Sequence, residues 1–291
     1  MLMRLIPSKS SLLRILVGLS MTAALSSGAV SCTVKEDRTN CPCYLYVDLS
    51  KLPEKMTRPN SGLWLDVVAQ SGVVVKMETV SPSDYEAPDW VIVSVPKGQA
   101  LVAAANGRVH WRPSMDGRKL TLPEGYEADS LYMHSSIVDC TGESARDTVR
   151  LHKQWCTLTL VLENPEVFRM YDFEITGHWA GISAADCSAL EGAFRVSPRR
   201  LDEGRFQCRI PRQGDNTDGN LRLKLYSENP DGSRGEEEYD YPLGMAIYRA
   251  GYDWFRKDLD DVTVKVDYAR ADMEVKIQPW DDGENFGNIV I

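Results

Sequence analysis

The chain has 291 residues, 43% of them hydrophobic, and its 42 acidic and 33 basic side chains give a net charge of −9. An acidic surface repels phosphate backbones, and no Lys/Arg run interleaved with aromatics is present, so composition argues against a nucleic-acid partner. A body of this size can form one large or two ordinary hydrophobic cores.

The first segment reads as an export signal. Arg4, Lys9 and Arg14 precede an acid-free apolar run, Ile15 to Val30, which ends in small residues before Ser31-Cys32. A charged start, an apolar middle and a small-residue cut site mark a secretory signal. The run has 16 residues, short of the roughly 20 needed to span a bilayer as a helix. Ala29 and Ser31 before Cys32 resemble a relaxed lipobox, in which the cysteine thiol is acylated and becomes the new N-terminus. Several acyl chains hold a protein at a membrane durably, at about 0.8 kcal/mol per buried methylene. Lys35, Glu36 and Asp37 directly behind it resemble the export signal that sends Bacteroidetes lipoproteins to the outer face of the outer membrane. Residues 1–31 are therefore expected as signal peptide. The mature chain from Cys32, with 30 basic against 42 acidic residues, carries −12.

Six further cysteines remain: Cys41, Cys43, Cys140, Cys156, Cys187 and Cys208. An exported protein sits where disulfides persist, and an even number suits pairing, with connectivity open. Cys41-Pro42-Cys43 has no neighbouring His, and His110, His134, His152 and His178 are scattered singly. No metal site and no cofactor are expected.

Along the body, alternation of period two predicts half-buried antiparallel strands. Cys43 to Leu49 places Leu45, Val47 and Leu49 on one face with Cys41 and Cys43. Asp89 to Val95 aligns Val91, Val93 and Val95. Cys156 to Leu162, Phe206 to Ile210, Leu221 to Leu225, Val262 to Asp267 and Met273 to Gln278 repeat the pattern. Turn chemistry at Asn60-Ser61-Gly62, Pro96-Lys97-Gly98, Asn106-Gly107, Asp116-Gly117, Asp218-Gly219 and Asn229-Pro230-Asp231-Gly232 separates them. Leu243 to Phe255 is the best helix candidate, limited by Gly251. The prediction is all-β sandwiches with a boundary near residue 150, giving domains 32–150 and 151–291. Cys156 and Cys208 share an inward parity and form the preferred pair; closing their loop of about fifty residues would stabilise by roughly 4 kcal/mol.

Catalytic signatures are missing: no G-x-S-x-G, H-E-x-x-H, P-loop or G-x-G-x-x-G occurs. Asp260-Asp261 and Asp281-Asp282 read as solvated turn or strand-end residues, and no catalysis is expected. Asp215 to Gly219 echoes a calcium loop without its distal glutamate and reads as a polar turn. Asp129-Ser130-Leu131 and Asp147-Thr148-Val149 resemble Bacteroidetes O-glycan acceptors at Ser130 and Thr148. Trp64, Trp90, Trp111 and Trp179 are candidates for a glycan-stacking platform, or else for packing.

Several segments together resemble the fimbrial anchor lipoproteins of the Bacteroidales, the FimB-like minor-fimbrium anchor subunits. Cys32 is followed by Glu36-Asp37-Arg38, then by Cys41-Pro42-Cys43 and a strand. Val93 to Gly98, then Leu101 to Gly107, resemble that family's strand-turn-strand. Leu151-His152-Lys153 resembles its second-domain opening. Tyr252-x-Trp254, Leu259-x-Asp261-Val262-Thr263, Val266-Asp267-Tyr268 and Trp280 resemble its C-terminal signature. The order of these pieces spans nearly the whole mature chain. The resemblance implies two tandem transthyretin-like β-sandwiches that fix a fimbrium in the outer membrane and influence its length. It implies a fimbrial stalk subunit as partner, engaged by β-strand exchange. Asn288, Ile289, Val290 and Ile291 end the chain as an apolar strand that is either exchanged or completes its own sheet. The alternatives are a surface glycan-binding lipoprotein, or a tip or accessory subunit of the same family.

Overall fold

Most of the strands bury alternate side chains against a facing sheet. A computed structural model of the chain describes residues 41–53, 62–80, 90–114, 118–163, 171–217, 219–267 and 272–280. The first half contributes β1 (Cys43–Asp48), β2 (Leu63–Ala69), β3 (Val74–Val80), β4 (Trp90–Val95), β5 (Gln99–Asn106), β6 (Arg112–Pro113), β7 (Lys119–Thr121), β8 (Tyr132–Asp139) and β9 (Ser144–Thr148). The second contributes β10 (His152–Lys153), β11 (Trp155–Leu162), β12 (Tyr171–Ser183), β13 (Ala189–Val196), β14 (Arg199–Asp202), β15 (Arg205–Pro211), β16 (Arg222–Glu228), β17 (Arg234–Tyr241), the helix α1 (Leu243–Arg249), β18 (Asp261–Asp267) and β19 (Asp272–Gln278).

Four sheets result, ordered β4-β1-β9, β10-β8-β5-β2-β3, β14-β15-β11-β18-β19 and β17-β16-β12-β7-β6, with β13 on a second edge of β12. The first two sheets close on one core: Cys43, Leu45, Val47, Val91, Val93 and Val95 face Leu63, Leu65, Val67, Ala100, Val102 and Ala104. The other two close on a larger core, where Leu158, Leu160, Ile210 and Val264 meet Phe173, Ile175, Leu223 and Leu225. The fold is two β-sandwiches, as the alternation predicts.

The same local design recurs in both. β1 pairs antiparallel with β4 and parallel with β9, and β11 pairs antiparallel with β15 and parallel with β18. These parallel pairings depart from the expected purely antiparallel sheets. In each case a late strand returns beside the first after a long excursion, which a hairpin cannot do. Cys41 also departs from expectation: it is exposed and precedes the strand that buries Cys43.

The halves interlock. β7 pairs with β12, so a hairpin from before residue 150 extends a sheet of the second sandwich. Trp64, Ala103, Ala105 and Met133 on the back of the β8-β5-β2 sheet join the larger core. This explains β2, whose seven residues are all buried. Leu63, Leu65, Val67 and Ala69 face the first core, while Trp64 on the other face joins the larger one and Asp66 and Val68 are buried as well, so the sequence shows no alternation. Gly107 (φ +79) closes this region: a Cβ there would lie 2.0 Å from the Ser130 carbonyl oxygen. Backbone strain of about 1–3 kcal/mol plus that clash predicts that Gly107→Ala lowers the thermal midpoint strongly. Calorimetry would check this, and an unchanged midpoint would refute it.

The helix is shorter than its pattern. Only Leu243–Arg249 is helical, with Gly251 in the left-handed region at φ +89 just beyond the end. A glycine there is the usual helix stop.

Candidate functional site

Among the described residues β19 lies at one end of its sheet, with only partly covered apolar side chains against the larger core. It alternates inward Met273, Val275 and Ile277 with outward Glu274, Lys276 and Gln278. Its partners across the ladder, Val266, Val264 and Val262, are fully covered, whereas the β19 side chains are half-buried. Beside them lies a groove of about 510 Å³, lined by Pro242, Met245, Ala246, Met273 and Val275, with Arg249 and Glu274 among its polar lining residues. A strand that ends its sheet among the described residues, next to a partly filled core lip, is the arrangement that can accept an added strand.

What holds this edge is a latch that joins the start of the second sandwich to the chain's last described residues. Lys153 is 0% exposed. Its Nζ donates to Asp261 Oδ1 at 2.6 Å and lies 4.2 Å from the Trp280 ring centroid and 5.2 Å from that of Trp155. Asp261 Oδ1 also accepts the Thr157 N–H at 2.6 Å. Asp258 accepts His152 Nδ1 at 2.8 Å and the Lys153 N–H at 2.7 Å. Burial pushes the Asp258 carboxyl up, but these hydrogen bonds, with Arg212 nearby, outweigh it and hold it below its ordinary value. Asp260, 5% exposed, accepts the Trp280 N–H at 2.9 Å and pairs with Arg256. Asp260 and Asp261 are thus not the solvated pair expected; both are structural acceptors.

Arg212 completes the clamp from inside. Buried, it donates to Gln154 Oε1 at 2.8 Å, to the Trp254 carbonyl, and to the Lys257 carbonyl at 3.0 Å. Carbonyls of an irregular loop that would otherwise be orphaned find a fixed donor in this way. Tyr252 caps the same loop, its hydroxyl donating to the Asp260 carbonyl at 2.8 Å.

The sequence-predicted residues fall as follows. Cys32, Lys35, Glu36, Asp37, Asn288, Ile289, Val290, Ile291 and Asp281-Asp282 lie outside the described residues. Cys156 and Cys208, expected as a disulfide, are instead buried free thiols on β11 and β15. The register sets Cys156 opposite Ile210 and Cys208 opposite Leu158, so the two are diagonal neighbours. Diagonal positions are roughly 7–8 Å apart, beyond the 5.5–6 Å that most disulfides span. Burial pushes the Cys156 thiol up to about 12, with Asp261 adding to it, and pushes Cys208 well above its ordinary value.

Ser130 Oγ accepts from Arg209 at 2.6 Å in a part-buried position. Thr148 sits half-buried on the edge strand β9, its hydroxyl 3.5 Å from Asp48. Trp64 and Trp111 are core residues. Trp179 packs over Gly214, where a Cβ would come within 2.5 Å of the ring. Trp90 alone of the four joins an outward aromatic row, edge-on to Tyr46 at 5.6 Å with the Arg146 guanidinium 4.7 Å from its ring centroid. Asp215 accepts the Thr217 N–H at 2.8 Å in a turn closed on itself. Among the described residues no group of three His, Cys, Asp or Glu is placed to hold a metal ion, and no helix is long and apolar enough to cross a membrane.

No protein family and no curated protein sequence matches the chain. Solved structures do share its fold. A Bacteroides thetaiotaomicron protein described as a candidate polysaccharide binder matches with a TM-score of 0.55 at 15% identity, covering 83% of this chain and 99% of its own. The fimbrial anchor protein Mfa2 of Porphyromonas gingivalis gives 0.54 at 13% identity, with 82% and 98% covered. A candidate adhesin from Bacteroides thetaiotaomicron gives 0.54 at 16% identity, with 82% and 97% covered. The resemblance carried by scattered sequence pieces therefore extends to the fold over nearly the whole described chain.

Proposed function

We propose that the chain is a non-enzymatic outer-membrane lipoprotein that roots a fimbrium at the cell surface. In this reading Cys32 carries the lipid, Lys35, Glu36 and Asp37 direct export, and two sandwich domains meeting near residue 150 form the body. A fimbrial stalk subunit docks by strand exchange along β19. The observation that carries the reading is the open lip of the larger core: half-covered Met273, Val275 and Ile277 at an edge strand beside an unfilled groove. A donor strand placed there would add backbone hydrogen bonds and cover those side chains, giving affinity and register together. The fold shared with a fimbrial anchor protein supports the same assignment.

The experiment is co-purification of the stalk subunit with an Ala246→Arg variant. Ala246 is half-buried and lines the groove, so a long charged side chain fills the groove without opening the core. Binding is expected to fall at least about tenfold, equivalent to 1.4 kcal/mol, while the thermal midpoint stays within about 2 °C of wild type. Unchanged co-purification would remove β19 as the contact.

A second reading is favoured by the outward row of Trp90, Tyr46 and Arg146 on the β4-β1-β9 sheet. Flat aromatic faces beside a guanidinium suit a sugar ring, so this face is the place to test a glycan-binding role. Trp90→Ala would abolish any measured polysaccharide affinity in that case and leave fimbriation untouched. Thr148 lies on the same face and Ser130 elsewhere; both are proposed O-glycan acceptors, checked by intact-mass comparison with Thr148→Val and Ser130→Ala.

A further inference from the structure

Cys43 and Cys140 meet at one end of the first sandwich. Cys43 opens β1 opposite Val95 of β4. Cys140 directly follows β8, and its N–H donates to the Gly98 carbonyl at 2.7 Å. Both residues therefore seat against the turn from Val95 to Gly98, which carries the chain from one sheet to the other. The surrounding backbone is fixed on each side. Tyr44 N–H donates to the Glu143 carbonyl at 3.0 Å, and Lys97 Nζ donates to the Thr141 carbonyl at 3.0 Å. Both cysteines are 0% exposed, within the same core. Like the other cysteines described, both are free thiols in the structure, and they lie near enough that Cys43 adds to burial in raising the Cys140 thiol. Cys156 and Cys208 differ in being offset along one sheet, whereas this pair faces across two.

We propose that Cys43 and Cys140 are the disulfide of this protein, a staple between the two sheets of the first sandwich. The bond forms by exchange with an oxidised dithiol donor of the cell envelope, or with oxidised glutathione in vitro. The Cys43 thiolate attacks a donor sulfur to give a mixed disulfide. The Cys140 thiolate then attacks the Cys43 sulfur and expels the donor's second thiolate. Two protein thiols lose two protons and two electrons, and the donor disulfide becomes two thiols. Once the sandwich is closed, burial pushes the Cys140 thiol up to about 12. The thiolate that exchange requires is then scarce, so oxidation precedes closure and the finished bond resists reductants. A mechanical consequence rests on the lipid-anchor reading, although the bond itself does not. A pull arriving through the N-terminal tether enters the fold at β1, and the staple passes it to the five-stranded sheet at the first residue of that strand.

The test is peptide mapping of the full chain isolated from its own envelope after quenching with iodoacetamide, digested without reductant. A linked peptide pair containing Cys43 and Cys140 is expected, with Cys41, Cys156, Cys187 and Cys208 alkylated. Alkylated Cys43 and Cys140, or Cys43 joined to any other cysteine, would overturn the proposal. The wild-type map does not depend on a variant folding. A second reading comes from the full chain refolded with oxidised glutathione. Its thermal midpoint should drop by about 10 °C when the bond is reduced, as a loop of this length implies. In Cys140→Ser the midpoint should be indifferent to reductant. Because neither measurement involves fimbriae, loss of the anchor role would leave this result standing.

Discussion

Replacing Lys153 by Met should lower the thermal midpoint by about 6–12 °C, the largest loss expected from a single side chain here. Lys153 is fully buried and held by Asp261 at 2.6 Å and by the face of Trp280. Removing one member of a buried pair strands the other, which costs about 3–5 kcal/mol. Asp261 keeps partial exposure and the Thr157 N–H, which places the loss near about 3 kcal/mol. For a body of this size each kcal/mol moves the midpoint by about 2–4 °C. The double variant Lys153→Met with Asp261→Asn should lose at least about 1 kcal/mol less than the sum of the singles, because the stranded charge is gone. Additive losses in a denaturation cycle would show that the pair is not coupled. Since Trp280 packs on Lys153, the single variant should also loosen β19 and weaken any partner seated on it.

Lowering the pH from about 8 to about 5 should stabilise the chain, against the trend of most acidic proteins, and Asp66→Asn should abolish that gain. Asp66 lies in the middle of β2, 1% exposed, and among the described residues neither carboxylate oxygen has a hydrogen-bond partner. Burial raises its pKa from 3.8 to about 7, with Arg108 opposing. The sign follows directly. Between the unfolded and folded values the folded state holds a proton that the unfolded state has released. Folding is therefore favoured as pH falls toward about 4, and penalised as pH rises through about 7. Over the whole shift the effect is at most about 4 kcal/mol. Asp66→Asn removes the charge and should raise stability at pH 8 while flattening the profile. A profile that stays steep in the variant would assign the pH response to another group.

Much of the fold is readable from the chain because strands with one wet face must alternate. β1, β4, β11 and β18 show this plainly, each burying every second residue. β2 escapes the pattern because both of its faces are dry. β12 escapes it because register shifts around Trp179 break the parity of a 13-residue strand. The latch was legible only as a set of scattered signature residues. Lys153, Tyr252, Trp254, Asp261 and Trp280 carried the family resemblance, and the fold brings them to one place. Lys153 and Asp261 are 108 residues apart in sequence, a separation that periodicity cannot bridge. The groove beside β19 had no sequence signal at all, since it is a space between α1 and an edge rather than a property of any residue. Cys156 and Cys208 share the inward parity their alternation predicts, but neighbours on adjacent strands also need matching register, and theirs is offset.

In the proposed role, lipid on Cys32 holds a fibre to the cell. The most direct measurement compares wild type with Cys32→Ala in the native host, following labelled lipid on the protein and the distribution of fimbriae between cells and medium. The variant is expected to lose its lipid, and intact fibres should appear in the medium. Lipid lost with fibres still on the cells, or fibres that form and stay attached without this chain, would contradict it.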